Sequence, residues 1–505
     1  MWGEPTPTVE DVMSPLRRWM LVLVSMAAVW QANCFVNEGE ECAGNTCSQD
    51  PGQATPVAGN LLLSADGTMA VTALQETLAN DATRVTLLGV SLPDGALVAG
   101  PVVTTPVVPS VLLTPDVHQA WLAREDGGVA SLTPLDLATM EEGAALDLEP
   151  GRYRAPLVGP LGGWVSLIEQ GATTRPETAL HLVRLGDRRA FDLATGGLAY
   201  DARLTRDEGR VVALVHPAEF LPGGTVEETV AVSTYEVRAW TLGAEGPAAE
   251  PLAVRVDNFE PNLLGWLSWS VRLSPDGRWA AVSGYEKIGE HVETDAETGA
   301  TETVDDLSPV TALVDVVEGR LHARLACGGP VAFTPDSATV VGYRPLDAAS
   351  SSDGQAGSEL VFTDLATLAE TTAEVGYAFP VYYVTPTGDL VVTYGLFETD
   401  GEHRVLLTSL DTGETTAAEG PALALSEFVV SHDGRTLYAV DQGGLYALGL
   451  YDGTVTEVRP PETQADNVAL LPDGATLLLT RDKTRALDLI DLSTRETTRS
   501  IGLAL

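Results

Sequence analysis

The chain is predicted to be all-β, a single β-propeller of four-stranded antiparallel blades, and three observations carry that expectation. One turn motif of the Pro-Asp-Gly kind recurs from Asn60 almost to the end of the 505 residues. The runs flanking each turn are apolar, four to six residues long and rich in Val and Leu, which is strand length rather than helix length. Further strand-like runs then follow before the next turn. The composition agrees, since 49 Gly and 31 Pro suit many short elements joined by turns.

The turn has a physical logic. Pro presets the backbone for a turn's first central position, Asp bonds its own backbone ahead, and Gly takes positive φ without a steric penalty. The clearest copy is Val271-Arg-Leu-Ser-Pro-Asp-Gly-Arg-Trp-Ala-Ala-Val282. Others are Leu61–Val71, Val111–Asp116, Leu204–Leu214, Val331–Asp336, Tyr383–Val392, Val429–Tyr438 and Leu470–Leu479. A weaker copy without the aspartate is Pro156–Val165. Third and fourth strands follow in most units, as in Val310–Val317 then Leu321–Leu325, Val405–Leu410, and Ala486–Leu492. Four-stranded sheets at a period of roughly 40–50 residues are the propeller signature, because one sheet cannot bury both faces alone and radial closure protects its edges. A β-helix would show a shorter period, and a series of sandwiches would not keep one turn motif through nine units. Propellers have roughly four to eight blades, so eight are expected from the nine units, within a range of seven to nine. The last unit holds all four of its own strands, so closure by a borrowed N-terminal strand is not expected.

The Ser-Pro-Asp-Gly-Arg-Trp run at 274–279 and the other Pro-Asp-Gly turns resemble the WD-like repeats of exported bacterial propellers, the TolB-like and YVTN-like families. The resemblance covers about residues 60–505 and implies the propeller fold. It departs from the pattern in unit three, which lacks the motif, and in unit lengths that vary from about 40 to 69 residues.

The net charge of −42 argues against binding the phosphates of nucleic acid or docking on anionic lipid, both of which need clustered Lys and Arg. Only Lys287 and Lys483 are lysines. Solubility or salt tolerance is the plain account of so acidic a surface.

The N-terminus reads as an address. Arg17 and Arg18 precede the apolar run Trp19–Trp30, too short to span a bilayer and right for a signal-peptide core. Residues 1–33 are assigned as signal, with Met13 an alternative start, because Glu4, Glu10 and Asp11 are wrong for a leader. Cys34 then stands where bacterial lipoproteins are cut and acylated, although Gln31 and Asn33 depart from that pattern and only Ala32 conforms. Cleavage after Ala27 is the competing route. The expectation is an exported envelope lipoprotein of the outer membrane or periplasm, or else a secreted protein, touching membrane only through its lipid. Residues 34–58 read as a tether in which Cys42 and Cys47 form a short disulfide loop; zinc is the alternative, but the spacing is unusual and no histidine is near. Cys327 reads as a small buried residue.

Connectivity converts loop lengths into geography. In an up-and-down blade the first-to-second and third-to-fourth connections share one face, and the others share the opposite face. The long insertions 216–228, 285–309, 344–358 and 396–403 all join second and third strands of four consecutive units, so they should cluster on one sector of one face, where binding is usually placed. The largest, 286–306, holds eight acids and one lysine. It is read as a solvated mobile loop contacting a partner, with Glu290, Glu293, Asp295, Glu297, Asp305 and Asp306 as the candidate contact residues. Calcium is a weaker reading, since the spacing departs from the Asp-x-Asp-x-Asp-Gly loop; no cofactor and no metal ligand set is assigned. Trp266 and Trp269 read as core or loop packing, and the seven histidines are dispersed. No Gly-x-Ser-x-Gly, His-Glu-x-x-His, Walker or dinucleotide motif occurs. The expected function is a monomeric binding or scaffolding module for a protein or envelope component. A hydrolase or lyase of the lactonase type, with acids and histidines at the channel, is the alternative.

Overall fold

The computed structural model describes residues 57–503 apart from 59–60, 64–65, 78–82, 106–109, 114–118, 127–128, 137, 151, 154–156, 171–179, 218–232, 262–270, 295–300, 347–356, 376–380, 397–402, 420–426, 442 and 482–484. Cys34, Cys42, Cys47, Trp266 and Trp269 therefore lie outside the described residues.

The strands form eight hydrogen-bonded sheets, all with antiparallel neighbours. One sheet contains two complete four-stranded units, because Glu260 and Pro261 at the end of one unit pair with Tyr285 and Gly284 of the next. Nine blades result: 57–105, 110–150, 152–193, 197–261, 271–325, 328–374, 381–417, 427–459 and 465–502. The nine units read in the sequence are thus all present, one more than the eight blades expected. The first sheet begins at Val57, inside the stretch expected to be tether, with Val57 and Ala58 paired to Gln75 and Leu74. Among the described residues the one helical turn is Pro461–Thr463.

Each hydrophobic cluster joins two neighbouring blades, which is why no blade would be stable alone. Tyr235 and Val256 of blade 4 pack with Val282 and Val314 of blade 5, and Trp240 of blade 4 packs with Trp164 of blade 3. The last seam closes the ring: Ala70, Leu88 and Val90 of blade 1 interdigitate with Leu478, Leu487 and Ile501 of blade 9. Arg499 adds hydrogen bonds to the carbonyls of Leu92 and Pro93, at 3.0 and 2.9 Å. Blade 9 is built from its own four consecutive strands, as expected, so closure among the described residues is by packing and not strand exchange.

The recurring turn is held by a hydroxyl–carboxylate pair. In blade 5 the Ser274 hydroxyl donates to Asp276 at 2.5 Å and accepts from the Trp279 N–H at 2.9 Å, while Asp276 accepts from the Arg278 N–H at 3.0 Å. Gly277 sits at φ +70°, the conformation glycine takes at no steric cost. The same pattern recurs at Thr334–Asp336 and Ser431–Asp433.

Two turns place another residue at the glycine position, and both use it to tie blades. Ser337, at φ +61°, accepts a hydrogen bond from the N–H of Asp276 in the preceding blade. Glu208, at φ +51°, reaches from the blade 4 turn into the blade 3 turn that lacks its own aspartate. There it accepts from the N–H groups of Leu161 at 2.9 Å and Gly163 at 3.0 Å. Gly159 and Gly163 leave the room this requires, since a Cβ on either would collide with the carboxylate. Truncation by Glu208→Ala strands two turn N–H groups and is expected to cost about 2 kcal/mol, read as a lowered urea midpoint. A change below about 0.5 kcal/mol, the level of ordinary surface substitutions, would show that solvent replaces the carboxylate.

Candidate functional site

The first strand of each blade lines the axis, with neighbouring first strands side by side: Gly197–Leu204 beside Val271–Leu273, then Gly328–Phe333, then Val381–Val384. The second-to-third connections of blades 4 to 7 leave from Pro217, Thr294, Pro345 and Leu396, all on the face opposite the Pro-Asp-Gly turns. Residues 218–232, 347–356 and 397–402 lie outside the described residues, but the blade 5 insertion is largely described and corrects the expectation. It is not a loop. Strands Trp279–Thr294 and Thr301–Asp315 stay paired from Trp279↔Asp315 out to Thr294↔Thr301, with one register shift between Lys287 and Gly289. Pairing to the rest of the blade ends at Val282 on one side and resumes at Thr311 on the other, and the link to Glu260 ends at Tyr285. Among the described residues, from residue 286 outward the two strands pair only with each other, a ribbon about 30 Å long at the usual rise per residue.

The ribbon's root is clamped. Arg324 bonds the Glu286 carboxylate at 2.9 Å and the carbonyls of Asp257 and Asn258, while the Asn258 amide donates to the Lys287 carbonyl at 3.1 Å. Further out, Lys287 pairs with Glu290 and, at 2.8 Å, with Asp305. His291 Nδ1 lies 2.6 Å from Asp306. Of the predicted contact residues, Glu290, Asp305 and Asp306 are therefore brought together on the ribbon, each with a basic neighbour. Glu293 lies in the outer strand opposite Glu302, and Asp295 and Glu297 fall outside the described residues. Ile288, Val292 and Leu307 stand exposed on the ribbon, at 68%, 66% and 40%. Among the described residues no three His, Cys, Asp or Glu side chains are grouped to hold a metal ion.

A second constellation, which sequence reasoning missed, lies at the axis. Asp201 on the first strand of blade 4 is completely buried. It accepts hydrogen bonds from the N–H of Ala202 at 2.9 Å and from the N–H of Val271 in blade 5 at 3.0 Å, with Arg203 Nε at 3.4 Å. Burial pushes its carboxyl up to about 6, against the pull of Arg203 and the two N–H bonds. Arg272, next in chain to Val271, feels Arg203, Asp201 and the phenol of Tyr382; burial first, and Arg203 second, hold its guanidinium below the usual arginine range. Tyr382, from blade 7, donates to the Val341 carbonyl of blade 6 at 3.2 Å.

The signal was available in the repeat alignment. Arg203 and Arg272 each stand four residues before the turn aspartate, in Arg-Leu-Thr-Arg-Asp and Arg-Leu-Ser-Pro-Asp. The equivalent residues of other units are Leu62, Leu112, Ala332, Val429 and Ala469. An arginine where the pattern is apolar marks a departure from packing.

Other side chains have structural roles. His181 is buried with Nδ1 2.7 Å from Asp192, His322 packs 4.7 Å from the Trp279 ring, and His216 stacks at 4.5 Å on Tyr235 with its pKa lowered by burial. Cys327 is fully buried and its thiol is pushed up to about 11 by burial, as its sequence context implied.

No family model and no curated protein matches the chain. Solved structures of similar shape include hydrazine synthase of Kuenenia stuttgartiensis, 13% identical over 83% of this chain and 99% of that one, with a TM-score of 0.38. Dipeptidyl peptidase 4 of Porphyromonas gingivalis is 10% identical over 88% of this chain but only 59% of its own length, at 0.43. A eukaryotic initiation factor is 11% identical over 89% and 96% of the two chains, at 0.50. At such identities the likeness concerns the fold alone, and the chain is a β-propeller.

Proposed function

We propose that this chain is a binding or scaffolding propeller of the cell envelope, exported and held by a lipid on Cys34 or else secreted, whose protein partner docks on the loop-bearing end of blades 4 to 7. One observation carries the reading: the ribbon of residues 286–294 and 301–309. An isolated two-stranded ribbon is marginal in water, and among the described residues no third strand pairs with either edge of it beyond Tyr285 and Thr311. Such edges accept a partner strand by β-augmentation. The exposed Ile288, Val292 and Leu307 supply apolar contacts, and the net charge of −42 selects a basic partner. The rival reading, a hydrolase or lyase using channel acids, has its best candidate in Asp201. Complete burial and two backbone N–H bonds favour a tie between blades over proton transfer.

A photo-crosslinker at Val292 is expected to capture a protein partner that a crosslinker at Leu161, exposed in a turn on the opposite face, does not. Replacing residues 288–306 by a short turn is expected to abolish association of that same partner. Equal capture from both positions, or undiminished association without the ribbon, would refute the reading.

A further inference from the structure

We propose that His216 is an acid-sensitive latch at the seam between blades 4 and 5, holding the root of the ribbon when neutral and releasing it when protonated. The inference rests on the fold alone and does not require a partner on the ribbon.

The sequence places an imidazole where the strand is otherwise apolar. Strand Arg210–Pro217 reads Arg-Val-Val-Ala-Leu-Val-His-Pro, and Val212 and Leu214 belong to the cluster shared with blade 5. His216 continues that face and is 1% exposed. It stacks on Tyr235 at 4.5 Å, with Tyr200 at 6.5 Å. Its Nε2 lies 3.2 Å from the Ser233 hydroxyl. Nδ1 is buried and, among the described residues, has no hydrogen-bond partner. The contacts then run outward to the ribbon. Tyr235 meets Phe259 edge-on at 5.9 Å, and Phe259 lies so close over Gly284 that a Cβ there would come within 2.5 Å of its ring. Next to Phe259, Glu260 and Pro261 pair with Tyr285 and Gly284 to join the two blades, and Asn258 donates to the Lys287 carbonyl. The segment that seats the ribbon thus rests, ring on ring, on His216.

The chemistry turns on the second nitrogen. In a neutral ring the Ser233 hydroxyl can serve Nε2 and leave only a bare lone pair at Nδ1, whereas the cation is a donor at both nitrogens. Protonation therefore puts a charge and an unmatched N–H into an apolar seam, which is costly. The groups around the ring do not offset it. Tyr200 and Tyr235 are uncharged phenols near neutral pH, and blade 5 presents Val282 and Val310. Asp201, which pairs with Leu214, is taken by the N–H groups of Ala202 and Val271. Glu236 alternates with Tyr235 and Val237 along its strand and is bonded by Arg238 at 2.7 Å, while Glu260 bears on Tyr235. Burial alone lowers the His216 pKa. Its contribution to stability is complete above about pH 6.5, where folded and unfolded chains are both neutral, and is lost as pH falls toward the folded value.

Hydrogen exchange of the full chain at about pH 8 and about pH 5, expressed as protection factors, tests the latch. In the wild type, amides of residues 212–215, 235–237 and 284–287 should lose about tenfold in protection at the lower pH, while Thr436–Asp441 of blade 8 keeps its own. His216→Phe keeps a ring against Tyr235 and cannot titrate, so its seam should change no more than blade 8 does. Asp201, Glu260 and His291 are present in both proteins and cancel in the comparison. Should the phenylalanine variant fail to fold, NMR titration of the wild-type imidazoles decides: a His216 ring that titrates below about 6.5, in step with the loss of protection, supports the latch. Equal loss in both proteins, undiminished protection of the wild type at the lower pH, or a His216 ring that titrates at or above that value overturns it.

Discussion

Between pH 4 and pH 7 the stability advantage of the wild-type chain over an Asp201→Asn variant should shrink by about 2–3 kcal/mol. The cause is the Asp201 carboxyl, pushed up to about 6 by burial, whereas an aspartate in the unfolded chain titrates near about 3.9. Below about pH 4 both states hold the proton and the group's contribution is complete. As pH rises, the unfolded chain ionises first while the folded chain resists, so stability is lost up to the folded pKa and is level above it. A shift of about two units corresponds to about 3 kcal/mol. The turn aspartates act with the opposite sign. Asp207, Asp336 and Asp433 are held low by the hydroxyls of Thr205, Thr334 and Ser431, so their contribution is lost as pH falls below about 4. They are common to both proteins and cancel in the difference. Asparagine does not titrate, and its amide would face one of the two backbone N–H donors, so the variant is the weaker protein at low pH. Urea midpoints from pH 4 to 7.5 measure the effect. A pH-independent difference between the two proteins would mean that Asp201 stays ionised in its buried position.

How much of this was legible in the sequence depends on the range of the interaction. The turn motif is local: Ser274, Pro275, Asp276 and Gly277 satisfy one another within six residues, so every unit that shows it becomes a blade. Blade number is different. It depends on the splay between adjacent sheets, to which no single repeat testifies, and the general range of propeller sizes pulled the expectation from nine to eight. Connectivity alone located the insertions on one face. It did not show that 286–306 is a ribbon, because its many acids read as solvated chain, although Val292, Thr294, Thr301, Thr303 and Val304 are β-formers placed symmetrically about the tip. Glu208 was invisible for another reason: its partners, Leu161 and Gly163, lie 47 and 45 residues away. The missing aspartate of unit three was a legible gap, but only the fold shows that the next blade fills it.

The seam between blades 1 and 9 should be the weakest point of the ring, the place where it opens first. Other blades are joined to both neighbours through the chain, whereas these two meet only at the ends of the ring. Leu478 is fully buried there, against Ala70, Leu88 and Val90. Leu478→Ala is expected to cost about 3 kcal/mol, the middle of the range for buried leucines. Leu437, equally buried between blades 7 and 8, should cost a similar amount as alanine, so global stability alone does not distinguish them. Hydrogen exchange does. With Leu478→Ala the seam opens without unfolding its neighbours, and amides of Met69–Thr77, Thr83–Ser91 and Thr476–Arg481 should exchange faster while those of blades 4 to 6 keep their protection. With Leu437→Ala the flanking blades remain tethered on both sides, and acceleration should not concentrate at the two ends of the chain. Identical exchange profiles for the two variants would show that the ring opens elsewhere, and that the Arg499 bonds to Leu92 and Pro93 hold the seam as firmly as a covalent connection holds the others.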